Sequence, residues 1–212
     1  MTHNHRLDHD IIFGLIEPGS RVLDLGCGDG ALLFRLAREK GALVRGIECD
    51  EQAVQTCVRK GLSVLHGNIE GGLDEYPDRS FDYVIMNQTM QEVRKVDCVI
   101  QQARRIGRKV VVGFPNFAHF RSRLIMFFKG KAPVTDSLPY LWYDTPNVRF
   151  LSVEDFREFC LGKGIPVLEA HYLGQAGEIR RLPNLRALNA VFVLAGNAGA
   201  PDRMEDDEKN LS

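Results

Sequence analysis

The stretch Arg21-Val22-Leu23-Asp24-Leu25-Gly26-Cys27-Gly28-Asp29-Gly30 decides the fold. Residues 21–25 form a short, mostly apolar run of the kind that makes a buried strand. Residues 26–30 are a glycine-dense turn, in which positive φ is allowed and a ligand can approach backbone that a Cβ would otherwise shield. Residues 31–40 then place Leu32, Leu33, Leu36 and Ala37 on one helical face, and Gly41 stops the helix. Strand, glycine turn and helix in that order predict the first unit of a parallel α/β sheet.

The pattern repeats outward from this unit. Before it, Leu7, Ile11, Ile12, Leu15 and Ile16 have helical spacing, and Pro18-Gly19-Ser20 ends the helix. After it, residues 43–48, 63–66, 82–86 and 109–114 read as strands, with helices over 51–60 and near 96–106. Such alternation predicts a Rossmann-like α/β fold, with right-handed crossovers placing helices on both faces. The rhythm breaks at residues 115–150, which are aromatic and punctuated by Pro133, Pro139 and Pro146. A connection this long is expected to be a lid, a binding loop or a docking surface. The pattern resumes at Ser152, where Ser152 and Asp155 resemble a capping box opening a helix to Lys163. Strands over 167–172 and 190–194 follow. Residues 1–195 are therefore expected to form a single domain, and the acidic segment 196–212 a disordered tail.

Two carboxylates distinguish the glycine turn. A dinucleotide fingerprint reads G-x-G-x-x-G and offers a helix start to a pyrophosphate. Here the spacing is G-x-G-x-G, and Asp24 stands two residues before it. That carboxylate disfavours a pyrophosphate and favours a ligand carrying an ammonium and a sulfonium. Glu48 ends the next strand, where strand termini converge on one crevice, and can accept both hydroxyls of a ribose. Asn68, after the third strand, is placed at an adenine edge, and Ile69 offers a backbone N–H and an apolar floor.

Composition narrows the classes further. Net charge is −1, so no global field favours nucleic acid or anionic lipid. No apolar run is long enough to span a bilayer, and the N-terminal residues lack a secretory pattern. The cysteines Cys27, Cys49, Cys57, Cys98 and Cys160 are scattered, with no C-x-x-C pair. A reducing cytoplasm is expected, without structural metal. His3, His5 and His9 are read as a solvated tail running into the first helix.

The motif Asp24-Leu25-Gly26-Cys27-Gly28-Asp29-Gly30 resembles the first motif of the Rossmann-like S-adenosylmethionine-dependent methyltransferases. Over about residues 6–195 the chain more closely resembles the methionine biosynthesis protein MetW family. Asn87-Gln88-Thr89-Met90-Gln91, Phe114-Pro115-Asn116-Phe117 and Leu138-Pro139-Tyr140-Leu141-Trp142-Tyr143-Asp144-Thr145-Pro146-Asn147 carry that resemblance. The superfamily implies a seven-stranded sheet with an antiparallel last strand. It implies S-adenosylmethionine, or S-adenosylhomocysteine, held by Asp24, Gly26, Cys27, Gly28, Gly30, Glu48, Cys49, Asn68, Ile69, Asn87 and Gln88. Asn68 departs from the commoner aspartate of the superfamily. The MetW resemblance implies a role in methionine biosynthesis beside homoserine O-acyltransferase, which such proteins accompany and activate.

A methyl transfer needs an aligned acceptor and often a base. Asn87, Gln88, Thr89, Gln91 and Glu92, then Pro115, Asn116 and His119, follow the fourth and fifth strands. The order Pro115-Asn116 reverses that of the amino-methyltransferase motif, and His119 is a lone histidine, so no catalytic residue is assigned. The aromatics Phe117, Phe120, Phe127, Phe128, Tyr140, Trp142 and Tyr143 suit core packing, a lid or a partner surface. Leu124-Ile125-Met126-Phe127-Phe128 with Arg121, Arg123, Lys129 and Lys131 also allow a membrane-surface helix. The residues leave open an accessory activator, a methyltransferase acting on a small molecule or protein, and, least favoured, a dinucleotide-binding oxidoreductase.

Overall fold

The computed structural model describes residues 6–135 and 137–197. The elements in chain order are α1 (Leu7–Leu15), β1 (Arg21–Leu25), α2 (Ala31–Lys40), β2 (Leu43–Glu48), α3 (Glu51–Arg59), β3 (Val64–His66) and β4 (Phe81–Asn87). A 3-10 turn, Met90–Glu92, precedes α4 (Val96–Ile106), β5 (Gly107–Pro115), α5 (Phe120–Lys129) and α6 (Val153–Gly162). β6 (Val167–Leu173), α7 (Pro183–Arg186) and β7 (Asn189–Ala195) complete the described chain. His3 and His5, and the acidic tail beyond Asn197, lie outside the described residues.

The strands form a seven-stranded sheet in the order β3-β2-β1-β4-β5-β7-β6. The pairings from β3 to β5 are parallel, and β7 runs antiparallel to both β5 and β6. The strand order reverses between β1 and β4, so connections on the two sides leave in opposite directions. That reversal opens a crevice beyond the C-terminal strand ends.

Neighbouring residues on a strand face opposite sides, and here both sides are covered. Leu23, Val84, Val110 and Val112 pack with Ile100 of α4 and Phe156 of α6. Val22, Ile85, Val111 and Val191 pack with Ile12 of α1 and Leu33 and Leu36 of α2. This two-sided burial explains why the strands read as unbroken apolar runs. Asp24 shares the α1/α2 side with Val22 and is the polar interruption on that face.

Several elements exceed or escape the sequence reading. β4, β5 and β7 run one or two residues past the segments read from the sequence, because ladder pairing continues through their end residues. α5 lies within the aromatic insertion, and α7 starts after Leu182, whose φ of 53° is left-handed. Apolar periodicity carries no signal for a four-residue helix.

The capping box forms as the sequence indicates. Ser152 Oγ accepts from Asp155 N at 3.1 Å, and Asp155 Oδ2 accepts from Ser152 N at 2.8 Å. An N-cap of this kind contributes about 1 kcal/mol. Ser152→Ala should therefore lower unfolding stability by about 1 kcal/mol in urea titrations. An unchanged midpoint would show that α6 is fixed by packing alone.

Candidate functional site

The crevice at the strand reversal is a cavity of about 690 Å³. Asp24, Gly26, Cys27, Gly28, Glu48, Cys49, Asn68, Ile69, Asn87 and Gln88 all line it. The ladder register explains this convergence: Asp24 pairs with Gly46 and Ile85, Glu48 with His66, and Asn87 with Gly113. Each acidic or amide side chain therefore sits at or near the end of its strand. Gly113 makes room for Asn87, since a Cβ at Gly113 would lie 2.0 Å from Asn87 Oδ1.

The glycines of the turn serve different purposes. Gly26 has φ +80°, and a Cβ there would lie 2.5 Å from Thr89 Oγ1. Gly28 has φ +54°, and a Cβ there would meet no atom within 4 Å, so it would project into open space. Gly28 is the position at which bare backbone faces a potential ligand. Gly30 does not line the cavity. Its Cβ would strike Leu62 and Cys57, so its requirement is close packing of α2 on the α3 region at φ +73°.

Glu48 is already engaged by the backbone. Its Oε2 accepts from Gly28 N at 2.8 Å, and its Oε1 accepts from Cys49 N at 2.8 Å and Asp50 N at 2.9 Å. The carboxylate staples the glycine turn to the end of β2. Asp24 is different. It is 4% exposed, and its Oδ1 is buried without a hydrogen-bond partner. Burial pushes its carboxyl up to about 7, and the nearby Glu48 charge adds to the rise, opposed by Arg6. Burial also pushes the Cys27 thiol far up, reinforced by Asp24, so Cys27 is no thiolate nucleophile.

α1 supplies groups that strand-end reasoning missed. Arg6 and His9 line the cavity. Asp8 is buried, accepting from Arg6 Nη2 at 2.7 Å and Asn87 Nδ2 at 2.8 Å. Burial alone would raise the Asp8 carboxyl, yet these donors hold it below its usual range. The bond to Asp8 also fixes the Asn87 amide, leaving Asn87 Oδ1 buried and unpartnered. His9 is no solvated tail residue: it is part-buried on α1, and burial, then Arg6, lowers its pKa. Apolar spacing gave no signal for them, since Leu7, Ile11, Ile12, Phe13 and Leu15 spread widely round α1.

Asn68 Oδ1 accepts from Glu70 N at 2.9 Å, which leaves its amide N–H₂ free to donate. Thr89, Glu92, Arg94 and Tyr140 also line the cavity. Asn116 and His119 do not. Asn116 is fully buried, donating to the carbonyls of Asn184 and Ala187 and accepting from Ala118 N and Val153 N. His119 caps α5 by accepting from Arg121 N at 3.3 Å, and burial lowers its pKa. Both anchor the insertion and stand away from the crevice.

A family model for the methionine biosynthesis protein MetW matches residues 6–194. The chain belongs to the MetW family. A bifunctional methionine biosynthesis protein MetXA/MetW from Rhodopirellula baltica is 32% identical over 200 residues, covering 88% of this chain and 32% of that protein. The chain spans about a third of the length of the curated relatives it matches. Among solved structures, an S-adenosylmethionine-dependent methyltransferase from Thermotoga maritima superposes with TM-score 0.64 at 20% identity, over 90% of this chain and 88% of that one. The [4+2]-cyclase SpnF superposes with TM-score 0.63 at 16% identity, over 90% of this chain and 81% of that one. These likenesses establish the methyltransferase fold for this MetW-family chain. They leave its chemistry to its own residues, since the fold also carries a cyclase.

The insertion of this MetW-family chain exposes much of its aromatic surface. Phe127 and Trp142 are 82% and 75% exposed. Trp142 and Tyr143 form an edge-on pair with centroids 5.6 Å apart. Tyr140 alone of these aromatics reaches the cavity. No helix among the described residues is long and apolar enough to cross a membrane.

The buried Asp24 gives a pH signature. Its folded pKa of about 7 exceeds the ordinary carboxyl value, so the folded protein holds a proton that the unfolded chain has released. This group therefore makes stability fall as pH rises from about 4 to about 7. Asp24→Asn should abolish that component. Urea midpoints of both proteins across this range test it, and parallel curves would contradict it.

Proposed function

We propose that this chain binds S-adenosylmethionine, or S-adenosylhomocysteine, in the crevice and accompanies homoserine O-acyltransferase in methionine biosynthesis as its activator. The observation that carries the cofactor reading is the unpartnered, buried Asp24 Oδ1 beside Glu48. Two carboxylates in one crevice favour a cationic ligand and disfavour a pyrophosphate. The unpartnered Asn87 Oδ1 is a second acceptor for a donor on the ligand. In this reading the bare backbone of Gly26, Cys27 and Gly28 meets the methionine half, and Gly30 keeps α2 in place behind it. Asp24 faces the ammonium, with Asn87 and Gln88 near the sulfonium. Glu48, beside Cys49, takes the ribose, and Asn68 and Ile69 meet the adenine. Residues 1–195 act as one unit, with 196–212 as an appendage.

Glu48 has about four acceptor positions, and three backbone donors occupy three of them. Two ribose hydroxyls therefore need one backbone bond to yield, and the Gly28 N–H is the one that comes from across the crevice rather than from the residues next to Glu48. Glu48→Ala should weaken S-adenosylhomocysteine binding about tenfold or more, as expected for a hydrogen bond to a charged group. Calorimetry with the fold checked by circular dichroism measures this, and an unchanged dissociation constant contradicts the site.

The acyltransferase reading draws support from the exposed insertion and from the bifunctional relative, in which a MetW part shares one polypeptide with a MetXA part. Trp and Tyr bury large area while keeping a polar atom for the rim. Trp142→Ala should cost about 2 kcal/mol of association with homoserine O-acyltransferase, read by analytical ultracentrifugation. Cofactor affinity should hold, because Trp142 does not line the crevice. Retained association would move the interface elsewhere.

Methyl transfer is the second reading, and Glu92 is the observation that favours it. Glu92 lines the crevice, and burial, then Glu48, raises its pKa toward that of a useful base. A radiolabelled methyl group appearing on an extract component in the presence of the wild-type chain, but not of Glu92→Gln, would favour this reading.

A further inference from the structure

A second cavity, of about 460 Å³, lies behind the 3-10 turn, between the start of α4 and the face of α6. Its walls are apolar and largely aromatic: Met90, Val96, Phe150, Leu151, Phe156 and Phe159. Its remaining lining is Cys98 and five charged residues, three cations and two acids. Asp155 keeps its charge but engages Oδ2 with the N–H and hydroxyl of Ser152 in the capping box. Asp97 is paired with Lys163 at 2.6 Å. The three cations are Arg94, Lys95 and Arg149. Arg149 gives one guanidinium N–H to the Arg94 carbonyl, which orients it over the cavity rim without neutralising it. Lys95 occupies the N-cap position of α4, but its side chain caps nothing. Glu70 accepts from the backbone N–H groups of Arg94 and Lys95, and the charges of those two residues also help to lower its pKa, so it offsets them in part.

We propose that this cavity is a binding site for a small apolar carboxylate, an aliphatic or aryl acid whose body lies among the aromatic walls and whose carboxylate meets Arg94, Lys95 and Arg149. The volume suits a small molecule, since ligand cavities run from about 300 Å³ upward and are mostly apolar with a few placed polar groups. Two arginines and a lysine, outnumbering the two acids of the lining beside apolar walls, match an anionic head on an apolar body. An uncharged apolar ligand would leave the rim cations unused, and a polyanion would find no cations on the inner walls. Asp97 Oδ1 is buried without a partner, so a neighbouring ammonium on the ligand has an acceptor available. The class therefore includes apolar α-amino acids as well as simple acids.

Arg94 also lines the larger crevice, so one cationic residue is shared by both cavities. An acid held by Arg94 in the smaller cavity changes the charge presented to the larger one. Ligands of the two cavities then alter each other's affinity by the same factor.

The test uses the full chain and four probes in calorimetry: 3-phenylpropanoate, its uncharged amide, norleucine and hexanoate. The site predicts saturable binding of 3-phenylpropanoate, weakened about tenfold or more in the amide by loss of the charge-assisted bonds. Lys95→Gln combined with Arg149→Gln should weaken the acid similarly and leave the amide unchanged. Both residues are exposed, so the fold should persist. Tighter binding of norleucine than of hexanoate would identify amino acids as the source, and the reverse order simple acids. Backbone amide shifts on titration should centre on Val96, Cys98 and Leu151. Absence of saturable binding, equal affinity for the amide, or shifts centred on residues 26–28 would each overturn the proposal. A parallel titration with S-adenosylhomocysteine separates the two readings, because its failure would refute the cofactor assignment and leave acid binding standing.

Discussion

Glu48 and Asp24 are two carboxylates in one crevice, and the protein satisfies only one of them. Glu48 closes three backbone N–H groups from both sides of the crevice. It thereby sets the spacing between the glycine turn and the end of β2. Asp24 is buried against the same space with an acceptor left open. Desolvation of an unpaired carboxylate is costly, and the group responds by holding a proton near neutrality. A ligand that brings positive charge relieves that cost. The rest of the crevice follows this constraint: α1 folds over it with Arg6 and His9, and the Asn87 amide is turned by Asp8 so that its oxygen is also left open.

Most of the frame was legible because two-sided burial and the strand–turn–helix rhythm are strong local signals. β1, α2, β2 and α4 span the segments that apolar periodicity marks. The convergence of Asp24, Glu48, Asn68 and Asn87 was legible too, since parallel strands end on one side of a sheet. What Glu48 does before a ligand arrives was not, because a carboxylate that bonds to its own following backbone leaves no trace in spacing. Asn116 and His119 looked like acceptor-side residues by position. They proved to be anchors: Asn116 satisfies backbone groups of Ala187 and Val153, which only the fold brings to it, and His119 caps its own helix at Arg121 N. Arg6 and His9 were missed because a helix preceding the first strand gives no indication of which strand end it covers.

The insertion divides into two kinds of surface. Tyr140 borders the crevice, while Trp142, Tyr143, Phe127 and Phe128 face outward. Its root is rigidly tied: Val148 N and Arg149 N donate to the Gln91 carbonyl, and Phe117 packs on Phe150 at 4.9 Å. A segment fixed at its base, with one aromatic inward and several outward, suits a part that meets a cofactor on one side and a protein on the other. In that arrangement the lid and the docking surface are opposite faces of one loop, so the two roles need not compete.

The central claim is that Asp24 stands ready for a cation. Binding a sulfonium and an ammonium beside Asp24 must lower its pKa from about 7, so the complex must release a proton. Calorimetry of S-adenosylmethionine at pH 6.5, repeated in buffers of different ionisation enthalpy, counts that proton directly. The account predicts fractional proton release in the wild type and none from this group in Asp24→Asn. Binding without proton release in the wild type, or release that persists unchanged in Asp24→Asn, would contradict it.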